Sequence, residues 1–350
     1  MMVTKVKIGD KLVGEGEPVF IVAEAGSNHD GKLSQAKKLV DVAANAGADA
    51  VKFQTFSADK IVAKTGPKAG YMEKVGEKES VYEIFKRIEL PREWHRELVK
   101  YANKKGLIFL SSPFDEEAVD LLDELGVPAF KVASGELTNF PLIEYMARKR
   151  KPLIVSTGAA TMDEVGEAVS AIRGTGNKKI VLLHCVANYP AAPEDANLLA
   201  MSALKQKFKL PVGYSDHTLG TATPLAAAAL GAVMIEKHFT LSRKLPGPDH
   251  FYAVEPNELK AMVEGIRAVE KIRGAPTKKP AKAEQEIRKL ARRSIFAKVD
   301  IPAGAVIKKE MLVTLRPVIG LEPKHIGSVV GKRAKRAIKR YEAITWEKIK

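Results

Sequence analysis

Short apolar segments rich in β-branched residues alternate with longer stretches of helical period, and the alternation recurs eight times. The β-type runs fall at 19–25, 50–56, 107–112, 129–134, 152–157, 180–187, 211–217 and 234–240. Most are continuously apolar, the pattern of parallel strands covered on both faces. Amphipathic stretches lie between them, among others at 33–46, 92–105, 116–125, 163–173 and 197–208. In the first, Leu33, Ala36, Leu39, Val40, Ala43 and Ala44 share one face, with Lys and Asp opposite. Thr161-Met162-Asp163-Glu164 has the form of a capping box. Gly47, Gly106 and Gly126 each follow a helical stretch, where a left-handed terminal residue belongs. Eight βα units in about 270 residues predict an α/β fold, a closed (β/α)8 TIM barrel. An open doubly wound sheet is the competing arrangement. No Gly-x-Gly-x-x-Gly follows the first strand, so dinucleotide binding loses its support.

The last barrel helix is expected over 255–273, and the character of the chain then changes. Gly and Pro mark 274–280 as a loop, and a charged stretch runs to Arg293. The remainder carries short β-like runs separated by Pro/Gly turns. The expected division is a barrel domain at 1–280, a linker at 281–293 and a small β-rich domain at 294–350. A piece of that size is marginal alone and is expected to pack on something larger.

Composition narrows the class. Apolar residues make up 45% and charged residues 28% of the 350, which describes a globular chain. No apolar run approaches the roughly 20 residues that span a bilayer. No signal-type apolar stretch follows the first residues, so a soluble cytoplasmic protein without membrane contact is expected. The single cysteine, Cys185, excludes an intrachain disulfide and fits a reducing compartment. Its apolar surroundings suggest a buried structural thiol rather than a nucleophile. The net charge of +15 admits a nucleic-acid reading. However, the basic residues are dispersed and lack the aromatic interleaving that stacked bases need. A Lys/Glu-rich surface of the heat-adapted kind, or steering of a small anion, accounts for the charge without nucleic acid.

The functional face of such a barrel is made by strand C-termini and the loops after them. Polar residues fall there in every unit: Glu24, Lys52 and Gln54, Ser112, Lys131 with Ser134 and Glu136, Ser156, Tyr189, Ser215 to His217, and Glu236 to His238. Lys52 and Gln54 are two apart and share a face. Lys52 and Lys131 sit in apolar runs, where an unpaired ammonium costs several kcal/mol. Either a bound phosphate or carboxylate satisfies them, with Ser112, Ser134, Ser156 and Ser215 as hydroxyl donors, or each pairs with a structural carboxylate such as Glu24 or Glu136. His217 and His238 end neighbouring strands, so their imidazoles are expected to meet over the mouth. With Asp216 and Glu236 nearby, they suit Mn²⁺, Co²⁺, Fe²⁺ or Zn²⁺.

At these residues the sequence resembles the sialic acid synthases, the N-acetylneuraminate synthase family. The resemblance rests on Glu24-Ala25-Gly26-Ser27-Asn28-His29-Asp30-Gly31, Lys52-Phe53-Gln54-Thr55 and Lys131-Val132-Ala133-Ser134-Gly135-Glu136. It continues through Ser156-Thr157-Gly158, Tyr189-Pro190, Ser215-Asp216-His217-Thr218, Glu236-Lys237-His238-Phe239-Thr240 and Pro246-Gly247-Pro248-Asp249-His250. The C-terminal piece resembles the family's antifreeze-like (SAF) domain through Arg293-Ser294-Ile295, Leu315-Arg316-Pro317 and Gly331-Lys332.

The resemblance implies condensation of phosphoenolpyruvate with N-acetylmannosamine, releasing phosphate by C–O cleavage. It implies that Lys52, Ser112, Lys131, Ser134, Ser156 and Ser215 hold phosphoenolpyruvate. Gln54, Tyr189, Asp249 and Arg316 would contact the N-acylated amino sugar. His217 and His238 would ligate a divalent metal, Mn²⁺ first, with Mg²⁺ or Co²⁺ as alternatives. Glu24 and Glu136 would orient groups or move protons. It further implies a domain-swapped homodimer. Val318 departs from the Gly usual after Arg-Pro, Asp30 replaces a common Asn, and Ser112 stands at a usual Thr position. Acceptors within the family also include the 6-phosphate and 2,4-diacetamido sugars leading to legionaminic or pseudaminic acid. Synthases of 3-deoxy-octulosonate or deoxy-heptulosonate phosphates share the chemistry without the appendage. A non-catalytic nucleic-acid- or polysaccharide-binding barrel is the reading outside catalysis.

Overall fold

The structure is a computed structural model describing residues 5–64 and 80–350. It divides into two compact units, Met1–Gly274 and Ala275–Lys350.

The first unit opens with an antiparallel hairpin, β1 (Val6–Ile8) and β2 (Lys11–Val13), which the sequence pattern did not reveal. Eight parallel strands follow: β3 (Phe20–Gly26), β4 (Ala50–Thr55), β5 (Ile108–Pro113), β6 (Phe130–Val132), β7 (Leu153–Ser156), β8 (Ile180–Cys185), β9 (Val212–Asp216) and β10 (Met234–His238). All eight lie within a residue or two of the expected runs, and β6 is the shortest because Ser134–Glu136 turns into a 3-10 helix. They pair in the order β5-β4-β3-β10-β9-β8-β7-β6, and β6 lies beside β5, which brings the sheet round into the expected barrel. A helix follows each strand, from Leu33–Ala46 after β3 to Pro256–Arg273 after β10. Gly47 ends the first helix at φ 79°, and its N–H returns to the carbonyls of Ala43 and Ala44. The expected capping box is present: Thr161 N–H donates to Glu164 at 2.7 Å and Glu164 N–H to the Thr161 hydroxyl at 3.3 Å.

Strand periodicity splits the barrel wall into two faces. Outward residues such as Ile21, Ala23, Val51, Phe109, Val155, Leu182 and Ile235 join the helices in the main core. Inward residues change character along each strand. At the N-terminal end Phe20, Val22, Ala50, Leu110, Ile154, Val181, Leu183 and Met234 form a second apolar cluster. Val6, Ile8 and Val13 of the hairpin belong to that cluster, so the hairpin plugs this end. Gly213 is inward on β9; a Cβ there would lie 2.3 Å from the Met234 carbonyl oxygen, so only glycine lets these strands and their layer close up. One step further along, the same rows become Glu24, Lys52, Ser112, Lys131, Ser156, Ser215 and Glu236, all buried.

Between β4 and β5 the chain makes an excursion that includes helices Ala58–Ile61 and Val81–Ile88. Phe56, Ile84 and Ile88, with Phe85 and Phe114, form a separate apolar cluster beside the C-terminal mouth.

The second unit has its own core, including Ile295, Ile301, Ile307, Ile338 and Ile344. Its β11 (Ser294–Ala297) and β12 (Leu312–Leu315) pair antiparallel. The stretch 281–293, expected as a linker, contains a helix, Glu284–Ala291, with no buried residue. No helix among the described residues is long and apolar enough to cross a membrane.

Candidate active site

Two chambers meet at the C-terminal mouth of the barrel. The inner one is lined by Glu24, Lys52, Gln54, Ser112, Lys131, Ser134, Ser156, Ser215, Glu236 and the two imidazoles of His217 and His238, with Phe114, Cys185 and Tyr189. The outer one is lined by Ser27, Gln54, Ile84, Phe85, Ile88, Tyr189, His238, Pro248, Asp249 and Tyr252. Gln54, Tyr189 and His238 belong to both walls.

The inner chamber is organised around carboxylates and ammonium groups. Lys52 Nζ lies 2.7 Å from Glu24 Oε2 and 3.7 Å from Glu236 Oε1, while Lys131 Nζ lies 3.6 Å from that same Glu236 oxygen. The lysines converge on one chamber with carboxylates between them, so the pairing with structural carboxylates is the alternative the geometry displays, Glu24 being the partner of Lys52. The partner of Lys131 is Glu236, not Glu136. Ser215 donates its hydroxyl to Glu236 at 3.0 Å. Ser112 and Ser134 reach Lys52 and the Gly158 N–H at 3.4 and 3.0 Å. Ser156 Oγ and Glu236 Oε2 are buried without a hydrogen-bond partner, two polar atoms that a bound group would satisfy.

Electrostatics separates the charged groups. Burial lowers the Lys131 ammonium below its ordinary range, with Glu236 only partly compensating. Burial acts on Lys52 in the same sense, but the Glu236 and Glu24 carboxylates outweigh it and hold Lys52 above its usual value. Glu24 is raised from 4.5 to about 7, because burial outweighs the attraction of Lys52 and Glu236 adds repulsion. Glu236 stays low, since Lys131 and Lys52 overcome its burial. The inner chamber therefore holds an acid that titrates near neutrality beside one that remains a carboxylate.

His217 and His238 meet as expected, with ring centroids 5.4 Å apart. His217 Nδ1 lies 2.7 Å from the Val186 carbonyl oxygen, which fixes a proton on Nδ1; burial lowers this imidazole, but Cys185 and the Val186 carbonyl outweigh it and hold the ring above 6.5, so Nε2 takes a cation only by giving up its proton. Burial, then the charge of His217, holds His238 well below 6.5, so it is a neutral ligand-type imidazole. Tyr189 lies 4.2 Å from the His217 ring, and Tyr252 lies 5.3 Å from His238. Among the described residues no group of three or more His, Cys, Asp or Glu forms a metal cage. The two imidazoles fit a divalent ion as an open site, its remaining positions left to water or substrate.

Two residues singled out from the sequence, Asp216 and Glu136, are placed elsewhere. Asp216 faces the opposite side of its strand, paired with Lys237 at 2.5 Å and with Thr218, because residues one apart point to opposite faces. It is not beside the imidazoles. Glu136 lies on the turn after β6, where the Asn139 side chain donates to its carboxylate at 2.8 Å. It does not line either chamber. Arg316 is exposed in the second unit, directly after β12. Asp249 lines the outer chamber, and burial holds its carboxyl above the ordinary range against hydrogen bonds from Tyr252 and Ser27. Sequence reasoning missed Ser27, Ile84, Phe85, Ile88, Cys185 and Tyr252. Two had a legible signal: Ser27 lies inside the Glu24–Gly31 motif, and Cys185 shares strand parity with the chamber rows.

The fold and site define a (β/α)8 barrel whose mouth holds an ammonium-lined chamber beside a second, larger one, with His238 on both walls. A model of the NeuB family matches residues 39–278, and one of the SAF domain matches 292–350. The chain belongs to the NeuB family. It is 46% identical over 346 residues to the N,N'-diacetyllegionaminic acid synthase of Legionella pneumophila, covering 97% of each chain. It is 37% identical to the human N-acetylneuraminate-9-phosphate synthase, over 92% of this chain and 90% of that one. The crystal structure of the N-acetylneuraminic acid synthetase from Leptospira borgpetersenii, in complex with citrate, matches with a TM-score of 0.73 and 37% identity. That match covers 82% of this chain and 95% of the other.

Proposed function

We propose that this protein condenses phosphoenolpyruvate with the open-chain aldehyde of an N-acylated amino sugar, giving a 2-keto-3-deoxy acid and inorganic phosphate. One observation carries the reading: two buried ammonium groups and an unpartnered serine hydroxyl share a chamber that opens, past His217, His238 and Gln54, onto a second one. Family membership and the acid-synthase names of the relatives support it.

In this reading Lys52 and Lys131 hold the phosphate and carboxylate of phosphoenolpyruvate, with Ser112, Ser134, Ser156 and Ser215 donating around them. Charge-assisted contacts in a buried site are strong enough to fix its orientation. Gln54, Tyr189 and Asp249 hold the acceptor so that its aldehyde carbon meets C3, and proximity lowers the barrier further. C3 attacks that carbon and the new C–C bond forms. Water then adds at C2, and the C2–O bond breaks to release phosphate. His217 and His238 would hold a divalent metal, Mn²⁺ first and Mg²⁺ or Co²⁺ as alternatives, and the chemistry it would supply there is Lewis-acid polarisation of the aldehyde. Glu24, which holds a proton up to about pH 7, is the group suited to proton movement at this junction.

A homodimer, and a contact between Arg316 and the sugar's N-acyl group, rest on the family resemblance alone. Light scattering at twice the chain mass, and an Arg316→Ala variant raised in sugar KM alone, would support them. The reaction itself is tested by phosphate release from phosphoenolpyruvate with Mn²⁺ and a panel of amino sugars. Release that requires both substrates supports it; no release with any sugar overturns it.

A further inference from the structure

The loop that leaves β10 doubles back onto it. The Val254 N–H donates to the His238 carbonyl at 3.0 Å and the Thr240 N–H to the Val254 carbonyl at 2.9 Å, so the returning chain runs beside the end of the strand. His250 braces the turn, with Nδ1 2.6 Å from the Thr240 hydroxyl and Nε2 2.9 Å from Asp30 Oδ1. This return carries Tyr252 onto His238. The tyrosine is buried, its ring lies edge-on to the imidazole with centroids 5.3 Å apart, and its hydroxyl oxygen is 3.4 Å from His238 Nδ1. The same hydroxyl is hydrogen-bonded to the Asp249 carboxylate. The condensation described above uses Asp249 and His238 but gives Tyr252 no part.

We propose that Tyr252 is a positioning residue, a relay from the Asp249 carboxylate to His238 that fixes which imidazole nitrogen is free to bind the divalent metal. The proposal rests on the condensation reading above and adds a residue behind its metal site. A phenol has one proton to give. A carboxylate only accepts, so Asp249 takes that proton. The phenol oxygen is then left to accept, and His238 Nδ1 must carry the ring proton to meet it. That leaves the Nε2 lone pair of His238 for the metal. A phenol turned the other way, donating to Nδ1, would put the ring proton on Nε2 and block the ligand. His217 reaches the same tautomer by a different route, through the Val186 carbonyl. One imidazole is thus oriented by backbone and the other by a side chain.

The test uses Tyr252→Phe, which keeps the ring and removes only the oxygen. Calorimetry with Mn²⁺ on the substrate-free protein should show an affinity lower by about ten- to hundred-fold, the effect of losing an outer contact to a metal-binding imidazole. Histidine ¹⁵N NMR of the metal-free protein, with His238 assigned through His238→Gln, should show Nδ1 protonated in the wild type and a mixture of tautomers in the variant. A packing defect would not produce that signature. Asp249→Ala should also weaken Mn²⁺ and disturb the His238 tautomer, because the freed phenol proton can then turn to Nδ1. Combining it with Tyr252→Phe should cause no further loss of affinity. Undiminished Mn²⁺ affinity in Tyr252→Phe, a wild-type His238 protonated at Nε2, or losses that add in the double variant would overturn the relay while leaving the condensation intact. A wild type that binds no Mn²⁺ would instead defeat the metal assignment, and the relay with it.

Discussion

Lys52 Nζ lies 2.7 Å from Glu24 Oε2, and both side chains are buried. The pair is not a simple ion pair, because the Glu24 carboxyl is raised to about 7. Between the ordinary value of 4.5 and about 7, the folded protein holds a proton on Glu24 that the unfolded chain has released. The folded state binds more protons there, so Glu24's contribution to stability falls as pH rises through that window. Thermal melts of wild type and Glu24→Gln at pH 5 and pH 8 isolate it. The wild type should lose more stability than the variant between those values, and equal losses would contradict the shift.

Lys131 is the ammonium left least satisfied, lowered by burial and 3.6 Å from Glu236. Its replacement by Met should raise the KM for phosphoenolpyruvate about ten- to hundred-fold, the loss of one charge-assisted contact. The sugar KM should stay near wild type. A shift confined to the sugar would reassign Lys131 to the acceptor.

His238 is neutral, and His217, oriented by the Val186 carbonyl, becomes a ligand once Nε2 releases its proton to a cation. Removing one imidazole from a two-imidazole site should abolish calorimetrically measured Mn²⁺ binding and lower kcat by about a hundred-fold or more. Full turnover by metal-stripped His217→Ala would refute the metal role.

Asp216 and Lys237 form a buried pair on the outward face of β9 and β10, and Lys237 also reaches the Thr218 carbonyl. Asp216→Ala leaves that ammonium buried with its carboxylate gone, which should cost about 3–5 kcal/mol of stability. Chemical denaturation measures this directly. A loss of catalysis at unchanged stability would instead return Asp216 to the active site.

The barrel was legible because eight apolar runs alternate with helical stretches, and most runs carry a polar residue near the C-terminal end on the chamber side. Lys52, Ser112, Ser156, Ser215 and Glu236 reach the inner chamber by strand parity alone. The same parity turns Asp216 away from His217, a consequence that counting neighbours in sequence misses. Glu136 failed for a different reason: the strand ends at Val132, and the 3-10 turn that follows has no two-residue alternation. The apolar wall of the outer chamber was illegible because Val81–Ile88 reads as any amphipathic helix. Only the β4–β5 excursion, fixed by tertiary packing on Phe56, brings its stripe to the mouth. The hairpin β1–β2 was hidden by its length, three residues a strand being too few to show a period.

The central claim is that one chamber binds phosphoenolpyruvate and delivers its C3 to a sugar aldehyde from the next chamber, with C–O cleavage. Phosphoenolpyruvate labelled with ¹⁸O at the bridging position tests it in a single mass measurement of both products. The account predicts labelled inorganic phosphate, and an unlabelled keto acid whose mass equals the sugar plus pyruvate. Label retained in the organic product, or labelled phosphate formed without any sugar adduct, would contradict it.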